Sequence, residues 1–239
     1  MKKLILVLII LGLTFCQQQK EKHPTKKDYF IALIILNTKN PNNSCVSNYG
    51  QLNPLLSSYQ TNEFINYSST CDTVIIGDST MDLSRQTSFY DKLKTSNYAI
   101  SGNTACDYIN QMEYLKCNPK NVIIASADGN GILRGVSTQT SIDTINQVVN
   151  RAKEKWNPNI IVVIGVHPIL LVSANKSKNE VNKGVSQIKG ICYINPLPIF
   201  GVGENDPPDT SYMIDQIHYK EPIYSKYKIQ IENQCGLKF

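Results

Sequence analysis

The sequence predicts an α/β fold, a parallel sheet with helices on both faces. Two observations predict it: short apolar runs rich in β-branched residues recur from residue 72 onward, and segments of helical periodicity separate them. A third sharpens the picture. Each small polar motif falls after one of the apolar runs, and in a parallel sheet the segments that follow the strands converge at one edge, where ligands sit.

Taken in order, Thr73-Val74-Ile75-Ile76 stops at Gly77, as a buried strand entering a tight turn does, with Val74–Ile76 its core. The turn holds Ser79 at the carboxyl end of that strand, before the mixed stretch Met81–Arg85 opens a helix. Tyr98–Ile100 is the second strand, followed by Ser101-Gly102-Asn103, and Thr104 can cap a helix carrying Cys106, Ile109 and Met112. Val122–Ala125 is the third, followed by Asp128-Gly129-Asn130-Gly131. Ile142, Ile145, Val149, Ala152 and Trp156 then share one helical face at i, i+3, i+7, i+10 and i+14. Ile160–Val166 is the fourth strand, with His167-Pro168 after it. Val181, Val185 and Ile188 mark a further helix, Ile191–Ile194 the fifth strand, and Asp215-Gln216-Ile217-His218 follows well beyond. The chain carries no internal repeat.

Ahead of this domain, assigned to residues 72–239, the chain reads differently. Met1-Lys2-Lys3 and the apolar run Leu4–Leu13 form an export signal over residues 1–16, too short to span a bilayer. Leu13-Thr14-Phe15-Cys16 resembles a bacterial lipobox, whose cysteine becomes the lipidated first residue, although Phe15 stands where that pattern has a small residue. An ordinary secretory signal with a chance cysteine is the alternative. Residues 17–28 form a polar tether and residues 29–71 an irregular N-terminal extension. The expected location is the cell envelope, lipid-anchored to a bacterial membrane.

Charge and cysteines narrow the classes further. Of 239 residues the net charge is +5, and Lys2, Lys3, Lys20, Lys22, Lys26 and Lys27 lie outside the domain. No Lys/Arg stripe interleaved with aromatics occurs, which argues against nucleic acid as a partner. The seven cysteines become six once Cys16 is set aside: Cys45, Cys71, Cys106, Cys117, Cys192 and Cys235. An even set in an exported chain predicts disulfides, with Cys45–Cys71 and Cys106–Cys117 as candidate pairs. None has C-x-x-C or Cys/His ligand spacing, so no zinc site is expected, nor any other metal or organic cofactor.

A serine becomes a strong nucleophile only when a base takes its proton. Three histidines are available. His23 lies in the tether, His167 is either cleft-lining or structural, and His218 has Asp215 three residues before it, where a carboxylate can orient an imidazole. Acyl transfer also needs donors aimed at an oxyanion. Gly102 can offer a backbone N–H and Asn130 its side-chain amide. The plainer readings are a capping Asp beside a surface His, and ordinary turn chemistry at Gly and Asn.

Together these residues resemble the SGNH/GDSL hydrolase family. Gly77-Asp78-Ser79, Ile100-Ser101-Gly102-Asn103-Thr104, Gly129-Asn130 and Asp215-Gln216-Ile217-His218 match its four blocks in order, over about residues 72–220. The resemblance implies a flavodoxin-like three-layer sandwich with a five-stranded parallel sheet of order 2-1-3-4-5. It implies a serine esterase with Ser79 as nucleophile, His218 as general base and Asp215 orienting it. The Ser79 backbone N–H, Gly102 and Asn130 would form the oxyanion hole. One departure is Gly131, where the family has an Asp that orders the loop; altered local geometry is expected there. The implied substrate is a small-molecule or glycan acyl ester and the expected state a monomer, with specificity set by loops at 131–140, 167–180 and 200–214. A catalytically inactive SGNH-fold surface lipoprotein, acting in binding or adhesion, is the alternative.

Overall fold

The β-branched run at the head of the domain forms β1 (Thr73–Gly77), and every residue of it is buried. The computed structural model describes residues 72–115 and 118–239. The export signal with Cys16, the tether, the extension, and Cys45, Cys71 and Cys117 lie outside the described residues.

Four more strands pair in parallel with β1 to give the order β2-β1-β3-β4-β5, as the resemblance implies. They are β2 (Thr95–Asn97), β3 (Asn121–Ala125), β4 (Ile160–Ile164) and β5 (Cys192–Ile194). Successive side chains of a strand point to opposite faces, so one run of apolar residues serves two cores. Val74, Ile76, Val122, Ile124, Ile161 and Val163 pack on one side. Ile75, Ile123, Ala125, Val162 and Ile164 pack on the other.

The first face is covered by α2 (Ala105–Tyr114), α4 (Thr138–Trp156) and α5 (Val172–Val185). The expected stripe on α4 is the one that packs: Ile145, Val149, Ala152 and Trp156 are buried, with Ile142 at its margin. Thr104 starts α2 through a capping box with Asp107. The opposite face is covered by α1 (Ser79–Leu83), α6 (Leu197–Phe200) and α7 (Glu221–Cys235). A five-residue helix, α3 (Gly129–Leu133), lies after β3. Among the described residues no helix is long and apolar enough to cross a membrane.

Two expectations need correction. The second strand lies at Thr95–Asn97, three residues ahead of the apolar triplet Tyr98–Ile100. Its polar side chains are buried, and Asn97 Nδ2 donates to Met81 O at 2.7 Å and to Ser84 Oγ at 3.1 Å. The triplet still runs beside β1, with Tyr98 N bonded to Ile75 O at 2.9 Å and Ile100 N to Gly77 O at 3.0 Å. Second, most of 167–180 is helix and not loop, because α5 begins at Val172.

Cys192 in β5 and Cys235 at the end of α7 form a disulfide with a Cα–Cα distance of 5.7 Å. Neither cysteine belongs to the candidate pairs read from the sequence. Cys106 is also disulfide-bonded.

Candidate active site

The turn after β1 is built by close approach. A Cβ on Gly77 would lie 2.9 Å from the Ala125 carbonyl oxygen of β3, so only glycine lets the two strand ends come together here. Asp78 then caps α1, its Oδ1 accepting from Thr80 N at 3.0 Å and Thr80 Oγ1 at 2.7 Å. Burial raises the Asp78 carboxyl above its ordinary value, and the Thr80 bonds oppose that only in part. Ser79 is the first residue of α1 and is buried.

His218 reaches the same point from a loop closed by Ile214 N to His218 O at 2.8 Å and by a bridge between Met213 and Tyr219. Within it, Asp215 Oδ1 accepts from Ile217 N at 2.7 Å and His218 N at 2.8 Å, while Oδ2 lies 2.8 Å from His218 Nδ1. Burial would raise the Asp215 carboxyl, but bonds from the His218 backbone and ring and from Ile217 N–H outweigh it and hold it below the usual carboxylate range. With Nδ1–H given to the carboxylate, Nε2 keeps the lone pair that accepts from the Ser79 hydroxyl. That distance is 2.9 Å, across 139 residues of sequence.

Gly102 and Asn130 follow β2 and β3, the two strands that flank β1. Their loops are tied together rung by rung. Arg134 Nη2 donates to Gly102 O at 2.8 Å, Asn130 Nδ2 to Asn103 O at 2.9 Å, and Ala105 N to Asp128 Oδ1 at 2.8 Å. Gly102 has φ +86°, a left-handed conformation that side chains rarely adopt. One N–H of the Asn130 amide is committed to Asn103; the group carries two. Ser101 faces away, its Oγ donating to Asp82 Oδ2 at 2.6 Å and so tying this loop to α1.

The structure thus joins Ser79, His218 and Asp215 in one hydrogen-bonded chain, and joins the loops of Gly102 and Asn130 to each other. His167 is structural. Its Nε2 donates to Ile217 O at 2.7 Å, and its ring packs between Phe200 and Tyr219. Burial, then the nearby Lys178 charge, push it well below its ordinary pKa. Lys178 is itself 2 % exposed, with Nζ 3.4 Å from His167 O. Sequence reasoning missed Arg134, Lys178 and the His167 contact. Each acts on a backbone carbonyl remote in sequence, and no local pattern marks such a bond. Beside this loop, tied to it by Leu170 N to Gln216 O at 3.0 Å, the apolar side chains of Leu171, Val172 and Ile214 stand exposed.

No family model matches the chain, and no curated protein matches its sequence. Solved structures do resemble it. A provisionally named acylhydrolase from Bacteroides fragilis is 18% identical with a TM-score of 0.61, over 75% of this chain and 94% of that one. A GDSL-like lipase from Bacteroides thetaiotaomicron is 16% identical with a TM-score of 0.59, over 75% of this chain and 96% of that one. A catalytic mutant of an acetylxylan esterase from Geobacillus stearothermophilus is 14% identical with a TM-score of 0.58, over 72% and 96%. What the chain shares with them is the fold, a five-stranded parallel sheet of order 2-1-3-4-5 flanked by helices.

Proposed function

We propose that the chain is a serine hydrolase of carboxylic acyl esters, acting through an acyl-enzyme. The supporting observation is the unbroken chain from Ser79 Oγ to His218 Nε2 at 2.9 Å and from His218 Nδ1 to Asp215 Oδ2 at 2.8 Å. Ser79 Oγ attacks the ester carbonyl carbon as Nε2 takes its proton, and Asp215 stabilises the imidazolium that forms. The oxyanion is met by the backbone N–H of Ser79, that of Gly102 and the second N–H of the Asn130 amide. His218 gives its proton to the departing alcohol oxygen. Water, deprotonated by the same nitrogen, then releases the acid and restores the serine.

The substrate class in this reading is a small-molecule or glycan ester, with Leu171, Val172 and Ile214 available to its apolar part. The protein is exported, held at a membrane through Cys16, and monomeric. Hydrolysis of p-nitrophenyl acetate tests the reading: the wild-type protein should turn it over and Ser79→Ala should not. A wild-type protein inert toward acyl chains of several lengths and toward acetylated glycans would leave a binding module in place of an enzyme.

A further inference from the structure

Asp128 occupies a costly position. Its φ of +68° and ψ of 37° are left-handed, and its carboxylate is buried. Both features oppose stability: the left-handed region costs a side-chain-bearing residue about 1 kcal/mol, and a buried carboxylate is costly unless hydrogen-bonded. The carboxylate is hydrogen-bonded from several directions. Oδ1 accepts from Ala105 N at 2.8 Å, at the start of α2, and Oδ2 accepts from Ser141 Oγ at 2.6 Å, in α4. Burial still raises its pKa to about 6, with the Ser141 and Ala105 bonds opposing this only in part.

These bonds fall on both sides of the candidate oxyanion site. Ala105 lies just beyond Gly102-Asn103, and the backbone of Asp128 leads directly into Asn130. The space used is equally specific. A Cβ built on Gly131 would sit closer to the Asp128 carboxylate than any real contact allows. Gly131 has an unremarkable φ, so the absence of a side chain there answers to this occupancy and not to backbone conformation.

We propose that Asp128 is a positioning residue that fixes the separation of the Gly102 and Asn130 loops, and that Gly131 is the clearance its carboxylate requires. The inference rests on the ester hydrolase reading for its kinetic consequence but not for its structural one. A carboxylate sent from position 131 toward the same space, with glycine at 128, meets the same donors.

The experiment compares the wild-type protein with Asp128→Ala, Asp128→Asn, Gly131→Ala and the exchange Asp128→Gly with Gly131→Asp. Rates of p-nitrophenyl acetate hydrolysis are read beside hydrogen exchange at the Ala105 amide and thermal melting. Oxyanion donors act in the transition state, so misplacing them lowers kcat with little change in KM. Asp128→Ala and Gly131→Ala should each lower kcat by about 10- to 100-fold, within the loss a misplaced group causes. Both should leave KM within about threefold, and both should speed exchange at Ala105. Asp128→Asn, which keeps an acceptor for Ala105 N–H, should recover most of the rate if Asp128→Ala does not fold. The exchange variant should return kcat to within about tenfold of wild type and restore Ala105 protection. Unchanged kcat in folded Asp128→Ala, or an exchange variant no better than Asp128→Ala in both readouts, would overturn the proposal. Inactivity of the wild-type protein would sink the esterase reading instead, and Ala105 protection would still decide the role of Asp128.

Discussion

His167 Nε2 donates a hydrogen bond to the Ile217 carbonyl at 2.7 Å, so one histidine holds the backbone beside the other. The bond fixes the peptide preceding His218 from the segment that follows the fourth strand, independently of Asp215. Removing it leaves a half-buried carbonyl without its partner, a loss of about 1 kcal/mol, and frees the loop to shift. His167→Ala is expected to lower kcat for ester hydrolysis by about 10- to 100-fold with KM little changed. Steady-state kinetics beside a urea melt checks this; a stability loss with full kcat would confine His167 to packing.

For the residues of the hydrogen-bonded chain, the expected losses do not add. His218→Ala should fall as far as Ser79→Ala, and the double variant no further, because nucleophile and base act as a unit. Asn130→Ala should cost about 100- to 1,000-fold in kcat, the usual worth of one oxyanion donor. Additive losses for Ser79 and His218 would show that the two act separately.

Lys178 makes stability depend on pH in a definite direction. Burial brings its ammonium down to about 7 from the ordinary 10.5, and the Asp78 charge opposes this only in part. Between those values the unfolded chain binds a proton that the folded chain does not, so stability rises with pH across that window. Lys178→Met should be more stable than wild type below pH about 7, with the advantage shrinking toward pH about 10. Urea midpoints measured along that range test it, and parallel slopes for the two proteins would show the lysine charged in the fold.

The Cys192–Cys235 bridge joins β5 to α7 across a sequence separation of 43. Closing a loop of that size stabilises by about 4 kcal/mol in the chain-entropy account. Cys192→Ala with Cys235→Ala should therefore lose about 2–4 kcal/mol in denaturant melts, and a strong reductant, which also opens the Cys106 disulfide, should lower the wild-type midpoint at least as far. No change in midpoint on reduction would exclude a stabilising role.

Anchoring is tested at Cys16. Cys16→Ser should move the exported protein from the membrane fraction to the soluble one, since acyl chains are the anchor in that reading. Membrane partitioning that is unchanged in this variant rejects it.

Much of this was legible in the sequence, for reasons that differ by residue. Val74–Ile76, Val122–Ala125 and Ile160–Ile164 announce themselves because β-branched side chains buried on both faces leave a continuous apolar run. β2 hid because Thr95, Ser96 and Asn97 are polar yet buried, Asn97 through its bonds to Met81 and Ser84, and hydropathy registers no such strand. Ser79, Asp215 and His218 stand out because few residue types do this chemistry and their order along the chain matches a known pattern. Asp128 was in view only as part of a glycine-rich turn. Its carboxylate occupies the space a Cβ at position 131 would enter, and only three-dimensional placement reveals that occupancy.

The bond between Ser79 and His218 spans 139 residues, nearly the whole described domain. Ser79 and its turn are made by neighbours within a few residues, but the histidine arrives only after all five strands have been laid down in sequence. Contacts of such long separation form late, once the intervening chain is organised. During refolding, an activity that needs this pair should therefore return after the sheet has formed, lagging behind far-ultraviolet circular dichroism. A fragment ending before the final loop should show none, however well its sheet assembles.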